Sequence, residues 1–270
     1  MLTTLAFVAA LGLTPGQSGK LDLTNVRPTY GVLGAVRPNL KYLPGDQVFI
    51  AYDIENIKVS TTGKVLYGMS MKVEDSKKKV WFEQKGEQEK IQAENSLGGT
   101  RVPAFANVNI GLNQPPGDYT LRVTVTDRAA KTSKELVQKF TVMSPAFGIV
   151  RLTTSLDEKD QLPAPMIGVP GQLVYVNFAT VGFGRNAKKQ PSMSLTMTVL
   201  DEKGKPTLTK PATGEVDDVP EKVPAVPMQF PISLNRPGRF TVELKATDNV
   251  SKKTSKVTFP LTVLSNDKSK

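Results

Sequence analysis

The sequence predicts an all-β protein composed of two tandem antiparallel β-sandwiches, and three observations support this fold class. Short segments alternate apolar and polar residues, which is the pattern of strands with one buried face. Pro-Gly pairs precede several of these segments, where the chain must turn, and no long segment has the 3.6-residue period of a helix. The third observation is an internal repeat that covers most of the chain.

The repeat consists of two blocks of matching residues. The block that begins at Pro44-Gly45 matches the block that begins at Pro170-Gly171, at an offset of 126 residues. Further along, the block 116–127 matches the block 237–248 at an offset of 121. Because the matches occur in the same order, we interpret them as a duplicated domain.

We expect seven short strands in each copy, the number typical of a sandwich of about 110 residues. In the first copy they are expected near 30–37, 46–55, 65–75, 79–84, 104–112, 118–127 and 134–143. In the second copy they are expected near 147–153, 172–181, 192–201, 206–210, 226–234, 238–248 and 254–264. The alternation is clearest after the second matching block begins, where Tyr119, Leu121 and Val123 are separated by polar residues.

The block 116–127 resembles the penultimate strand of bacterial immunoglobulin-like and fibronectin-III-like repeats, in which a turn leads into an alternating strand. The resemblance covers residues 22–266 and concerns the fold alone. It implies that Tyr119 is a corner tyrosine and that Phe240, which lacks the hydroxyl, holds the second corner by packing alone. It also implies that two pairs occupy the inter-sheet position that antibody domains bridge with a disulfide: Leu121 with Ile50, and Val242 with Val176.

Residues 1–18 are expected to be an export signal, because an apolar run too short to span a bilayer precedes small and turn residues. No Lys or Arg precedes the run, so a buried first strand or an ordinary terminus is the alternative. The predicted organisation is then a first domain at 19–143, a second at 144–266 and a tail at 267–270. The mature chain is expected to be periplasmic or secreted, without a transmembrane segment.

The composition excludes several functions. The chain has no Cys and no His, which removes disulfides, sulfur and imidazole metal sites, and catalytic triads. Its net charge of +10 invites a nucleic-acid interpretation, but seven of these charges lie in residues 1–45 and 251–270. No basic cluster is interleaved with aromatic residues, so nucleic acid is not an expected partner. A weak attraction to an anionic polymer remains open.

Two kinds of surface residue are candidates for binding. Trp81, the only tryptophan, offers the largest stacking surface for a sugar, although packing between sheets or against the neighbouring domain is the alternative. The tetrapeptide Lys-Thr-Ser-Lys occurs in both copies and is a candidate for paired anion binding. The alternative is that these charged tips keep edge strands from pairing with other chains. The lysines concerned are Lys131, Lys134, Lys253 and Lys256.

The acidic clusters 157–160, 201–202 and 217–218 contain the carboxylates that calcium prefers, but none of them forms a calcium-binding motif. We interpret Asp127 and Asp248 as turn residues whose carboxylates accept backbone N–H groups. The sequence therefore predicts no catalytic residue, no metal site and no cofactor, and the chain is not expected to be an enzyme.

The expected function is that of an exported structural or protein-interaction module of a bacterial envelope or secreted assembly, with an unidentified envelope or secreted protein as partner. Pro145, in the short linker 143–146, favours a semi-rigid pair of domains. The alternative function is a carbohydrate-binding or enzyme-accessory protein that recognises a cell-surface polymer.

Overall fold

A computed structural model describes residues 19–86 and 91–265, and within these ranges the chain is all-β, with no helix. The prediction of an all-β chain with antiparallel sheets is confirmed. The predicted export signal at 1–18 and the tail at 267–270 lie outside the described residues.

The described part of the chain contains seventeen strands. In the first half they are β1 (Asp22–Pro28), β2 (Lys41–Tyr42), β3 (Gln47–Glu55), β4 (Lys64–Asp75), β5 (Val80–Gln84), β6 (Ile91–Glu94), β7 (Val102–Asn109), β8 (Gly117–Asp127) and β9 (Thr132–Val142). In the second half they are β10 (Gly148–Ser155), β11 (Ile167–Gly168), β12 (Leu173–Val181), β13 (Met193–Leu200), β14 (Ala212–Val216), β15 (Ala225–Ser233), β16 (Gly238–Asp248) and β17 (Thr254–Val263).

Each sheet takes all its strands from one half of the chain. The first half has a sheet β1-β3-β7 and a sheet β2-β9-β8-β4-β5, with β6 also paired to β4. The second half repeats this order as β10-β12-β15 and β11-β17-β16-β13-β14. The sheets are antiparallel except for two short parallel pairs, β2 with β9 and β11 with β17.

The core of each half lies between its two sheets, because alternate residues of facing strands are buried. The two predicted inter-sheet pairs are all fully buried: Ile50 with Leu121 in the first half, and Val176 with Val242 in the second. Each pair belongs to one continuous apolar cluster of its own half.

Two buried carboxylates close equivalent turns, as predicted for Asp127 and Asp248. Asp127 Oδ1 accepts the N–H groups of Ala129 and Ala130, each at 2.8 Å. Asp248 Oδ1 accepts the N–H of Val250 at 3.0 Å and that of Ser251 at 3.3 Å. Both side chains are fully buried, so these hydrogen bonds replace lost hydration.

The other oxygen of each carboxylate reaches a loop that is distant in sequence. Asp127 Oδ2 accepts the N–H of Lys58 at 2.7 Å, and Asp248 Oδ2 accepts the N–H of Gly184 at 2.7 Å. Lys58 and Gly184 are separated by the repeat's offset of 126 residues. The duplication therefore extends from strands to individual hydrogen bonds.

The predicted corner tyrosine is present in the first half. The Tyr119 hydroxyl donates to the Pro115 carbonyl at 2.8 Å and accepts a hydrogen bond from Gln114 Nε2 at 3.0 Å. In the second half the Arg236 guanidinium lies over the Phe240 ring, 4.8 Å from its centroid. Expecting this corner to rely on packing alone was therefore incomplete, because a cation–π contact holds it.

Two strand predictions were wrong. Residues 30–37 form an irregular loop closed by a single bridge between Thr29 and Val36, and the first strand is β1 instead. The strand expected at 206–210 is absent, and β14 at 212–216 pairs with β13 in its place. The short strands β2, β6 and β11 were not predicted.

Candidate functional site

Trp81 is half-buried and packs against the core of the first half rather than standing free on the surface. Its ring meets Tyr119 edge-on, with centroids 6.3 Å apart, and the Lys79 ammonium lies 4.0 Å from its centroid. Its indole N–H donates to Asp75 Oδ2 at 3.0 Å, and this bond is the largest cause that lowers the pKa of Asp75. One face and the polar edge of the indole are thus already engaged within the chain.

The structure does not bring the two Lys-Thr-Ser-Lys segments to equivalent positions. Asp127 pairs with Thr132 across the first hairpin, whereas the Asp248 N–H bonds to the Lys253 carbonyl across the second. Thr132 and Lys253 are therefore equivalent, and the tetrapeptides are displaced by one residue relative to the fold. Because side chains alternate along a strand, this displacement places corresponding lysines on opposite faces of their sheets.

The last lysine of each segment shows the consequence. Lys134 pairs with the fully buried Val125 and reaches Asp22 on the facing sheet, with Nζ 2.9 Å from Oδ1. Lys256 pairs with the exposed Lys245 and reaches Glu243 on its own sheet, with Nζ 2.6 Å from Oε2. Lys131 and Lys253 are exposed at the tips of hairpins that belong to different halves. Anion binding by these lysines stays a prediction, but the geometry does not place them on one surface.

Acidic residues in the clusters considered for calcium accept hydrogen bonds from their own turns. Asp157 accepts the N–H groups of Lys159, Gln161 and Leu162. Among residues 19–86 and 91–265, no group of three or more acidic side chains is arranged to hold a metal ion.

A polar groove of about 510 Å³ lies on the outer face of the larger sheet of the first half. It runs across β4 and β8, and the segment that follows β5 forms one bank. Arg128 anchors that bank, because its Nη2 donates to the Gly86 carbonyl at 2.7 Å. The charged side chains that line the groove are Lys72, Glu83, Lys85, Arg122, Arg128 and Glu135.

Three of the groove's charged side chains, Lys72, Arg122 and Glu135, take part in ion pairs. Arg122 Nη1 lies 2.9 Å from Glu135 Oε2, and Arg122 Nε lies 3.6 Å from Glu74 Oε2. Lys72 Nζ lies 2.8 Å from Glu74 Oε1. A groove lined by polar side chains, with its central arginine held in ion pairs, is suited to hydrogen-bond a neutral polyhydroxylated ligand.

A buried polar network lies at the junction between the two halves. Its centre is Asp46, which is almost fully buried. Asp46 Oδ1 accepts the backbone N–H of Arg151 at 2.8 Å, and Asp46 Oδ2 lies 2.9 Å from Nη1 of Arg37. The Arg151 side chain then returns to the first half, where its Nε donates to the Gly45 carbonyl at 2.8 Å. One carboxylate therefore joins residues that are 105 positions apart in sequence.

Arg151 lies at a β-bulge that occurs in both halves of the chain. The first strand of each half has a bulge in which one residue adopts a left-handed conformation: Asn25 with φ 50° and Arg151 with φ 52°. These residues are 126 positions apart, so they are equivalent. Asparagine tolerates this conformation, whereas arginine rarely adopts it, and the contacts of Arg151 with Asp46 and Gly45 stabilise it.

Apolar contacts surround this polar centre. Leu43 of the first half and Ala225 of the second pack against a buried cluster of Val150, Ala179 and Val181. Gly45 has φ 90°, and a Cβ there would lie 3.2 Å from Val181 Cγ1. A Cβ there would lie still closer, 2.9 Å, to Leu112 Cδ2 of the first half, so both the backbone conformation and close neighbours from each half favour glycine at this position.

The loop 29–37, which was expected to be a strand, also belongs to the junction. Tyr30 and Ala35 pack into the apolar cluster of the second half, and the Tyr30 ring lies 6.4 Å from that of Phe259. The Arg37 guanidinium lies 4.0 Å from the Tyr42 centroid, and burial raises the pKa of Tyr42 to about 12. Apolar residues that resemble a strand in the sequence are thus used to contact the other half.

Comparisons with known proteins give no family for this chain. No family model matches it, and no curated protein matches it. Three solved structures are similar at low identity: red sea bream transglutaminase (10% identity, TM-score 0.27), the C-terminal domain of the Streptococcus pyogenes antigen I/II-family protein AspA (8%, 0.29), and a putative β-galactosidase from Bacteroides fragilis (12%, 0.34). The matches cover 91%, 90% and 84% of this chain and 31%, 99% and 34% of those chains, respectively. TM-scores this low support no statement about activity or partners.

Within residues 19–86 and 91–265, no helix is long and apolar enough to cross a membrane.

Proposed function

We propose that this chain is a non-catalytic, exported structural or protein-interaction module of a bacterial envelope or secreted assembly, composed of two tandem immunoglobulin-like sandwiches. The observation that carries the proposal is the junction at Asp46. Its buried carboxylate, two arginines and surrounding apolar cluster oppose independent motion of the two halves. A fixed spacing between two binding faces is what a structural module requires.

The apolar run at 1–18 supports export, and the absence of Cys and His from the whole chain is compatible with a role without catalysis. The expected partner is an envelope or secreted protein that contacts both halves at once. Simultaneous contact is the arrangement in which a fixed junction increases affinity.

The test passes an envelope extract of the source organism over the immobilised chain and over an Arg151→Asn variant. Asparagine is the residue at the equivalent bulge, so the strand should persist while the side-chain bond to the Gly45 carbonyl is lost. We expect the native chain to retain one protein and the variant to bind it about tenfold more weakly. Equal retention by both chains, or no retained protein, would contradict the proposal.

The polar groove of the first half favours a second candidate, recognition of a neutral cell-surface glycan. A glycan array with the native chain tests it, with Arg122→Ala as the variant that opens the groove's central ion pairs. Binding that is lost in Arg122→Ala would support glycan recognition. Trp81 lies outside the groove's lining, so Trp81→Phe serves as the control and should bind normally.

A further inference from the structure

A cavity of about 410 Å³ opens between the two sheets of the second half. This volume lies in the range of small-molecule sites. Its walls are largely apolar, and Thr207 and Leu208 stand at its edge. Residues on the two facing sheets that line it include Val199, Phe240, Leu261 and Ile232.

The first half has the same frame, but an indole fills the corresponding space. Thr207 is the equivalent of Trp81, because the bridge between Leu200 and Pro206 repeats the pairing of Glu74 with Val80 at the offset of 126. In the first half Trp81 packs on Tyr119, whose equivalent, Phe240, lines the cavity. The second half therefore has the walls of an indole site and a threonine in place of the indole.

The polar surroundings of the indole are duplicated as well. Asp75 Oδ1 accepts the N–H groups of Lys77 and Lys79, and Asp201 Oδ1 accepts those of Lys203 and Lys205 in the same way. In the first half the remaining oxygen, Asp75 Oδ2, accepts the indole N–H. No hydrogen bond joins Asp201 Oδ2 to the described part of the chain.

The second half also carries cations related to this arrangement, one of which, Arg236, lines the cavity. Lys79 lies over the Trp81 ring, and Lys205 is its equivalent. Arg236 lines the cavity and already lies over the Phe240 ring. Cations placed over aromatic faces stabilise bound aromatic groups.

We propose that this cavity is a binding site for an aromatic group of the indole class, with its N–H directed to Asp201 Oδ2. The bound group would occupy the space that Trp81 fills in the first half. This inference does not depend on the proposed function, because it concerns a different surface from the junction.

The test titrates the full chain with indole while the ε-methyl signals of ¹³C-labelled methionines are followed by NMR. Met197 lines the cavity, and its equivalent in the first half, Met71, is the internal control. We expect Met197 to shift with a dissociation constant of about 1 mM or tighter, as suits a ligand this small, and Met71 to remain unchanged. Absence of a Met197 shift at saturating indole would overturn the proposal.

Two variants make the test specific. Thr207→Trp should fill the cavity, weaken indole binding at least about tenfold and raise the unfolding temperature. Unchanged indole affinity in a folded Thr207→Trp chain would contradict the proposed site. Asp201 lies outside the apolar walls. The Asp201→Asn variant should weaken the binding of indole more than the binding of 1-methylindole, which has no N–H to donate. Equal weakening of both ligands would contradict the proposed orientation.

A parallel titration with N-acetyltryptophanamide distinguishes the two sources of an indole. Binding at least as tight as that of indole would assign the site to a tryptophan side chain of a polypeptide. Binding of indole with exclusion of the blocked amino acid would assign it to a free small molecule.

Discussion

The buried carboxylates Asp127 and Asp248 show how much of this fold depends on single residues. Each accepts hydrogen bonds from its own turn and from a loop more than 60 residues away in sequence. Burial tends to raise the pKa of Asp248, but hydrogen bonds from Ser251, Gly184 and Val250 outweigh it and hold the pKa below its ordinary value of 3.8. The ionised side chain therefore stabilises the second half.

The first prediction is that Asp248→Asn lowers the free energy of unfolding by about 2 kcal/mol at pH 7, because an amide cannot accept both sets of hydrogen bonds. The native contribution is fully present above pH 3.8 and is lost as the pH falls through the lower folded value. The difference between variant and native chain should therefore shrink as the pH falls below about 4. Urea unfolding at pH 7 and below pH 4 measures this difference in unfolding free energy. A difference that does not change with pH would contradict the stabilising role of the ionised Asp248.

The corner tyrosine gives a second prediction at this scale. Tyr119→Phe should cost about 1 kcal/mol of unfolding free energy, because the buried end of the ring loses its hydrogen bond to the Pro115 carbonyl. Tyr175→Phe is the control, since its hydroxyl bonds to Glu158 in an exposed contact. Equal effects in the two variants, measured by chemical unfolding, would show that the corner bond contributes nothing specific.

At the scale of the element, the hairpin between β4 and β5 repeats between Leu200 and Pro206, and one of their sequence differences falls at a residue with positive φ. Lys78 has φ 65° and its equivalent, Gly204, has φ 74°. Both turns carry the same backbone bonds to an aspartate carbonyl, from Lys78 to Asp75 and from Gly204 to Asp201. The first half thus places a lysine where the backbone favours glycine.

We predict that Lys78→Gly stabilises the first half by about 0.5–1 kcal/mol, because it relieves the left-handed strain. The matched variant Gly204→Ala should destabilise the second half by about 1 kcal/mol. Fluorescence of Trp81, the only tryptophan, follows unfolding of the first half, and circular dichroism follows both halves. A destabilising Lys78→Gly would contradict the argument.

Long strands with a regular apolar alternation were the most predictable from the sequence, and the first strand was the least. β8 and β16 alternate apolar and polar residues along their length, so both bounds were found to within a residue. β1 carries no such alternation because it lies at the edge of its sheet, with intermediate or exposed side chains. The loop 29–37 was mistaken for that strand because its apolar residues serve the junction.

The candidate sites were less predictable, because they depend on register and on distant contacts. The two Lys-Thr-Ser-Lys segments match in sequence, but the structure places them one residue apart relative to the fold. Corresponding lysines therefore point to opposite faces of their sheets. The junction joins Asp46 with Arg151, and no local pattern links residues so far apart. The aligned copies differ by having Trp81 in the first and Thr207 in the second, but this difference alone does not predict a cavity in the second half.

At the scale of the whole molecule, the junction determines how the two halves behave together. Asp46 neutralises Arg37, whose side chain is only 13% exposed, and it satisfies the N–H of Arg151. Removing one member of a buried pair leaves the other charged group without compensation, which is costly. An exposed pair such as Lys134 with Asp22 contributes far less.

We therefore predict that Asp46→Ala costs about 3 kcal/mol of unfolding free energy and separates the calorimetric transition into two. Asp22→Ala removes an exposed pair and is the control. It should change the free energy of unfolding by less than about 1 kcal/mol. Similar losses in both variants would show that the junction carboxylate has no special role.

The central claim is that the two halves form one fixed unit, and residual dipolar couplings test it most directly. Couplings are measured for amides of residues 19–143 and 144–265 in one weakly aligned sample, and an alignment tensor is fitted to each set. The account predicts a single tensor for both sets in the native chain, and two tensors of different magnitude in Asp46→Ala. Two different tensors in the native chain would contradict it.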